Sequence, residues 1–257
     1  MALTPPSTIA RQQAAANLKL PLLGLLALSA AAFTDVVTDL LPAGLLPQMG
    51  AALHVREAEI GYLVSAFAIA SAAAAIPVTA LLRRVPRRAA LEAALVGFAV
   101  FDTITAASSS YLLTFAARLL VGVMGGALWS MLAGYAARMV PAAKRGRAIA
   151  IVLAGITLAL CAGVPAGTAL ADLVGWRVSF ALLAAMALLL VGWVRWKVPG
   201  FRRDRPADQV RLGPVARLPG IRSVLLVTGL VLTAHQAAYT YIAPVAAQAG
   251  FARTSMV

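Results

Sequence analysis

Apolar residues along this chain come in long unbroken runs rather than in the alternating or amphipathic patterns of a soluble fold. The runs fall at about 20–46, 60–82, 89–109, 112–138, 147–171, 178–198 and 221–247. Each reaches the roughly 20 residues that an α-helix needs to cross the hydrocarbon core of a bilayer. The pattern therefore predicts an all-α membrane protein with seven spans. Between the sixth and seventh runs the character changes. Pro199, Gly200, Pro206, Gly213, Pro214, Pro219 and Gly220 stand among many arginines, which reads as a linker. The predicted organisation is a tail over 1–18, a six-helix unit over 19–198, a linker over 199–220, and a seventh helix over 221–257 that begins a further unit.

Composition sharpens this picture. Of the 257 residues, 61% are hydrophobic and 12% charged, against about 45–50% and 25% in soluble domains. So few charges could not cover so much apolar surface, and disordered chains are poor in apolar residues. Arg11 and Lys19 ahead of an apolar stretch, with Ala-rich residues 29–32, also fit a signal peptide. The run continues to Leu46, however, longer than such a segment.

The net charge of +13 would suggest nucleic acid on a soluble protein. No nucleic-acid motif accompanies it, and topology accounts for it instead. With the N-terminus inside the cell, Arg11 and Lys19, then Arg83, Arg84, Arg87 and Arg88, then Arg138, Lys144, Arg145 and Arg147, and the basic residues from Arg195 to Arg222 all fall on the cytoplasmic side. Only Arg56, Arg177 and Arg253 fall outside and Arg118 within a span. This is the positive-inside distribution of a cell-membrane protein with a cytoplasmic N-terminus. The one cysteine, Cys161, excludes an intrachain disulfide and a cysteine-based metal site.

Residues 79–88 (TALLRRVPRR) and 168–177 (TALADLVGWR) match at Thr, Ala, Leu, Val and Arg. The first copy leaves the second span and the second leaves the fifth, so the two face opposite sides. Two three-span units of opposite orientation form the inverted repeat of many transporters; the alternative is chance similarity in an Ala/Leu-rich chain.

Ionisable residues inside spans are costly and are functional candidates. Asp35, Thr38, Asp39 and Pro42 are spaced i, i+3, i+4, i+7 on one face of the first span. The third span adds Asp102 and Thr103, the fourth Arg118. At 1.5 Å per residue, Asp102 and Arg118 both lie about 10 Å below the outer end of their spans. An ion pair between Arg118 and one carboxylate is expected, leaving the others in low dielectric, able to exchange protons near neutral pH. The opposing reading is an interfacial Asp39 and a purely structural Asp102–Arg118 pair. Gly122, Gly125 and Gly126, with Gly155, Gly163, Pro165 and Gly167 in the fifth span, permit close packing or a bend. In the seventh span His235 and Tyr239 precede Pro244 and are candidate substrate contacts. No catalytic constellation, Walker-type phosphate loop or cofactor motif appears.

These features together resemble the major facilitator superfamily, in the drug and sugar efflux branch of proton antiporters. The second–third loop pattern of that family, Gly-x-x-x-Asp-Arg-x-Gly-Arg-Arg, is similar to Thr79-x-x-x-Arg83-Arg84-x-Pro86-Arg87-Arg88, with Arg84, Arg87 and Arg88 kept and the latch Asp and both Gly lost. Arg118-x-x-x-Gly122 resembles the fourth-span motif. Gly163-Val164-Pro165-Ala166-Gly167 resembles the antiporter motif, and Trp176-Arg177-x-x-Phe180 and Tyr239 to Pro244 resemble parts of the sixth and seventh spans. Asp39 takes the place of an acidic residue common in this branch. The resemblance implies the N-terminal six-helix bundle of the major facilitator fold, a 3+3 inverted repeat, plus one further helix. It implies proton-coupled efflux of a small drug-like or sugar-like molecule, with Asp35, Asp39, Asp102 and Arg118 in coupling. Family members have twelve spans, so this chain reads as truncated after the seventh, lacking a C-terminal half. The alternative is a non-transporting half that serves as an interaction module, completed by a partner half or a homodimer.

Overall fold

The computed structural model of the protein describes residues 20–82, 85–201, Gly220, Ile221, Ser223, Val224, 226–231 and Ala234. In chain order the helices are α1 (Leu22–Gly44), α2 (Leu46–Leu53), α3 (Glu57–Leu82), α4 (Arg87–Ala107), α5 (Tyr111–Arg138), α6 (Arg145–Leu158), α7 (Val164–Val174) and α8 (Trp176–Lys197). A 3₁₀ turn (Ala142–Lys144) leads into α6, and a π-helical turn (Ala159–Gly163) joins α6 to α7 without a break. Among the described residues six helical stretches are long and apolar enough to cross a membrane: Leu22–Gly44, Glu57–Ala75, Arg87–Ala107, Tyr111–Arg138, Ala142–Val174 and Trp176–Lys197. Helices are the expected answer for such segments, since a bilayer offers no partner for an unpaired backbone N–H or C=O.

The helix ends are written locally. Pro21 and Pro86 stand just before α1 and α4, where the missing N–H would have no helical acceptor anyway. Gly175 takes φ +88° between α7 and α8, a left-handed conformation that suits a residue without Cβ. Arg195 and Lys197 lie in the last turn of α8, where their charge complements the helix dipole. The first span is shorter than the apolar run because Leu45 closes α1 and the chain restarts as α2, ending at His54 with φ 55°.

The chain divides into two units, residues 1–203 and 204–257. In the second, the described residues from Ile221 to Ala234 are helical. His235, Tyr239 and most of the 199–220 linker lie outside the described residues.

Within the first unit, α1 is the hub and touches every other span. The closest associations are α3 with α5, α4 with α8, and α1 with the fifth span. Exchanging spans 1–3 for spans 4–6 turns the α3–α5 pair into the fifth-span–α1 pair and leaves α4–α8 unchanged. The helix starts repeat in step: Leu22 to Tyr111, Glu57 to Arg145 and Arg87 to Trp176 are separated by 89, 88 and 89 residues. The matching decapeptides are offset by the same 89 positions. Small residues let these pairs close. A Cβ on Gly122 would lie 2.5 Å from the Phe67 carbonyl oxygen of α3, and one on Gly155 would press into the Ser29 carbonyl of α1.

The apolar interior is split. One cluster gathers Leu25 to Ala32, Leu91 to Ala99, Val121 to Ala136 and Ala187 to Val198. The other gathers Val36 to Leu45, Ile60, Leu63, Ala106, Trp176 and Phe180. Between them lies a polar layer containing Asp35, Thr38, Asp102 and Arg118, all buried.

Candidate functional site: a buried polar layer between α1, α4 and α5

Pro42 organises the layer. It sits inside α1 and has no N–H, so the carbonyl four residues earlier, that of Thr38, has no helical donor. Arg118 of α5 supplies one. Its Nη1 donates to Thr38 O at 2.8 Å and its Nη2 to Asp39 O at 3.0 Å. The guanidinium carbon lies 4.9 Å from the centroid of the Phe67 ring, a cation–π approach made stronger by the absence of water. Arg118 is completely buried. This geometry differs from the expected direct ion pair. Arg118 spends its hydrogen bonds on the backbone that Pro42 exposes rather than on a carboxylate.

Each carboxylate has its own surroundings. Thr38 Oγ1 donates to Asp102 Oδ2 at 3.1 Å, so Thr38 serves Arg118 with its carbonyl and Asp102 with its hydroxyl. The indole Nε1 of Trp129 donates to Asp35 Oδ2 at 2.5 Å. Oδ1 of Asp35, of Asp39 and of Asp102, and Nε of Arg118, are buried without a hydrogen-bond partner. Unpaired atoms of this kind are unusual in a settled interior. They mark the layer as able to take a proton or a ligand group. Neighbouring threonines do not fill the need: Thr34, Thr103, Thr105 and Thr114 each turn back on a carbonyl of their own chain, at Ala30, Ala99, Phe101 and Ser110.

On α5 the participants Arg118, Gly122, Gly125 and Trp129 are spaced 4, 3 and 4 and share one face. α1 and α5 run in opposite directions, so Asp35 meets Trp129 while Thr38 and Asp39 meet Arg118. A Cβ on Gly125 would lie 2.8 Å from Asp35 Oδ1 and 2.8 Å from Phe67 Cζ; glycine there is what leaves room for the carboxylate.

The antiporter-like stretch touches the opposite side of α1. Pro165 withholds the donor that Cys161 O would use, and the chain responds with the π turn over Ala159–Gly163, where Val164 N–H reaches back five residues to Ala159 O. Such single-turn widenings recur at functional positions. A Cβ on Gly163 would lie 2.6 Å from Val37 Cγ2 and one on Gly167 2.9 Å from Leu41 Cδ1. α1 is thus held between this glycine face and the Arg118 face.

The basic loop motif lies at the other end of α4. Arg84 falls outside the described residues. Arg87 starts α4. Arg88 Nε bonds Glu92 Oε1 at 2.9 Å, Arg195 Nη1 lies 3.5 Å from Glu92 Oε2, and Arg88 Nη2 also donates to Arg195 O. Tyr135 donates to Pro199 O at 2.6 Å. Arg88 therefore joins α4 to the end of α8, remote from the buried layer.

Trp129, Phe67 and Glu92 were not singled out by the sequence. Trp129 lies in register with Arg118 and the glycines, which is the signal that could have found it. Phe67 and Glu92 had none, because their roles depend on interhelical contacts.

Comparison with known proteins adds a family match and three similar structures. A family model described as Major Facilitator Superfamily matches residues 25–257. The fold is similar to the xylose transporter XylE from E. coli in an inward-open conformation, with TM-score 0.59 and 16% identity over 85% of this chain and 55% of that one. It is also similar to a peptide transporter POT in complex with alafosfalin (TM-score 0.64, 17% identity, 89% of this chain and 50% of that one) and to a POT family transporter in complex with 5-aminolevulinic acid (0.59, 14%, 83% and 47%). The chain spans about half the length of these structures.

Proposed function

The chain belongs to the major facilitator superfamily, and from that premise we propose that it carries the coupling half of a secondary active transporter that exports a small, drug-like or sugar-like molecule in exchange for protons. It is a multi-pass membrane protein of a transporter family, not an enzyme. The observation that carries the coupling proposal is the buried layer itself. One permanent cation, Arg118, is fixed to backbone carbonyls, and three carboxylates each keep an oxygen free around it. Ionisable groups at this depth are retained where they move ions or protons. Because Arg118 is not tied to any single carboxylate by a direct bond, a proton can bind to one of the three without breaking an ion pair.

In this reading Asp35, Asp39 and Asp102 exchange the proton and Arg118 sets how many of them are ionised together. Gly163, Pro165 and Gly167 shape the helix between the halves, which rock about a midplane site. The basic residues of the Arg88 loop and α8 support a cytoplasmic face at that end of the bundle, and with it an N-terminus inside the cell. The test is transport by the complete transporter in proteoliposomes under an imposed proton gradient. Asp35→Asn and Arg118→Ala are expected to insert normally and lose gradient-driven efflux. Wild-type efflux in both variants overturns the proposal.

A further inference from the structure

Trp129 combines two properties. It donates its indole N–H to Asp35 at 2.5 Å, and it is 41% exposed whereas Asp35 is 1% exposed. The ring therefore stands between a sealed carboxylate and the open surface of the helix pair. The backbone beside it is shaped to this pairing. Gly125, one turn earlier, leaves the space that Asp35 Oδ1 occupies, so Oδ1 lies over bare helix while Oδ2 is held by the indole. The charged groups that bear on Asp35 are Asp39 from its own helix, Arg118 from α5 and Asp102 from α4. Among the described residues α3, α6, α7 and α8 bring no ionised side chain to it.

We propose that Trp129 is a positioning residue for Asp35 and the movable cover over its carboxyl group, closed while Asp35 is ionised and released when Asp35 takes a proton. This rests on the reading above that Asp35 exchanges protons. A hydrogen bond to an ionised acceptor is about twice as strong as one to a neutral acceptor. Protonation at Asp35 thus removes much of what holds the indole, and the exposed ring can swing aside without disturbing the packed core. Proton uptake and access to the site become one event. The arrangement needs no second element, since the latch and the carboxyl lie on the two helices that Arg118 already ties together.

The experiment follows tryptophan emission of the purified chain in nanodiscs through a pH titration, alongside Trp129→Phe, Asp35→Asn and Asp35→Glu. The wild type is expected to show a pH-dependent change in emission that is absent in both Trp129→Phe and Asp35→Asn. It should return with a displaced midpoint in Asp35→Glu. Persistence of the wild-type change in Asp35→Asn, or in Trp129→Phe, overturns the proposal. Should Trp129→Phe fail to insert, the two Asp35 variants decide alone. Transport by Asp35→Asn separates the two ideas. Normal efflux with loss of the emission change refutes coupling through Asp35 and leaves the cover intact. Lost efflux with an unaltered emission change refutes the cover and leaves coupling intact.

Discussion

If Pro42 creates the acceptor that Arg118 satisfies, the two residues must be energetically dependent in a sign-specific way. Replacing Arg118 by Leu removes two charged hydrogen bonds, to Thr38 O and Asp39 O at 2.8 and 3.0 Å. Charged hydrogen bonds contribute about 1.5–3 kcal/mol each in proteins, though interhelical bonds in membranes average nearer about 0.6 and reach about 1.7. The single variant is therefore expected to lose about 3 kcal/mol, part of it because Thr38 O is left buried with no donor. Pro42→Ala restores an N–H at position 42, in reach of Thr38 O along the helix. In that background the carbonyl is satisfied whether or not Arg118 is present. Arg118→Leu should then cost about 1–2 kcal/mol less than it does beside Pro42. The cycle is read from equilibrium unfolding of the four proteins in mixed micelles, followed by far-UV circular dichroism. Independent sites add to within about 0.5 kcal/mol. Additivity within that margin, or a larger penalty in the Pro42→Ala background, refutes the link between proline and arginine.

Two further outcomes follow from the packing. Gly126→Ala drives a Cβ into the Ser71 carbonyl of α3, whereas Gly192→Ala on α8 meets nothing within 4 Å; the first should lose about 2 kcal/mol or more and the second gain up to about 1 kcal/mol, in the same unfolding assay. Tyr135→Phe removes the 2.6 Å bond to Pro199 O and should cost about 1 kcal/mol, seen as faster amide exchange at the end of α8, with Glu92→Gln adding less because Arg195 is largely exposed.

For the six spans among the described residues the pattern was legible because a bilayer leaves the backbone one solution, and only boundaries moved. The fourth span begins at Tyr111 against an expected start near 112, and the fifth extends to Val174 against an expected end near 171. The restart at Leu46 was hidden, since α2 continues the same apolar composition as α1. The site was legible as a set of residues, Asp35, Asp39, Asp102 and Arg118, from the cost of charge in lipid. Its wiring was not. Opposite charges suggested an ion pair, whereas the proline on the same stripe had already created a better-placed acceptor, a consequence open to anyone who asks where the Thr38 carbonyl goes. Pro165 posed the same question for Cys161 O, and the answer there was a π turn rather than a plain bend. Trp129 could be reached from the sequence only by extending the Arg118–Gly122–Gly125 stripe one more turn.

The repeat sets the charged position of α5 against a neutral one in α1. An offset of 89 places Arg118 of α5 opposite Ser29 of α1 in the two triplets. Ser29 closes against Gly155 of the fifth span, so tightly that no Cβ fits there. Arg118 occupies the corresponding crossing with α3, where its guanidinium lies over Phe67. Both crossings are closed by glycines, Gly155 at one and Gly122 and Gly126 at the other, but only the α3–α5 crossing also holds a buried cation. The first helices of both triplets meet at the centre, and the acidic stripe of α1 faces the basic position of α5. A symmetric scaffold thus carries an asymmetric electrostatic layer. In the proposed coupling the Ser29–Gly155 contact fixes the fifth span on α1, while gain or loss of one proton in the charged layer alters the balance between α1, α4 and α5. Movement that follows protonation should begin at the α1–α5 contact, with the Ser29–Gly155 contact as its fixed side.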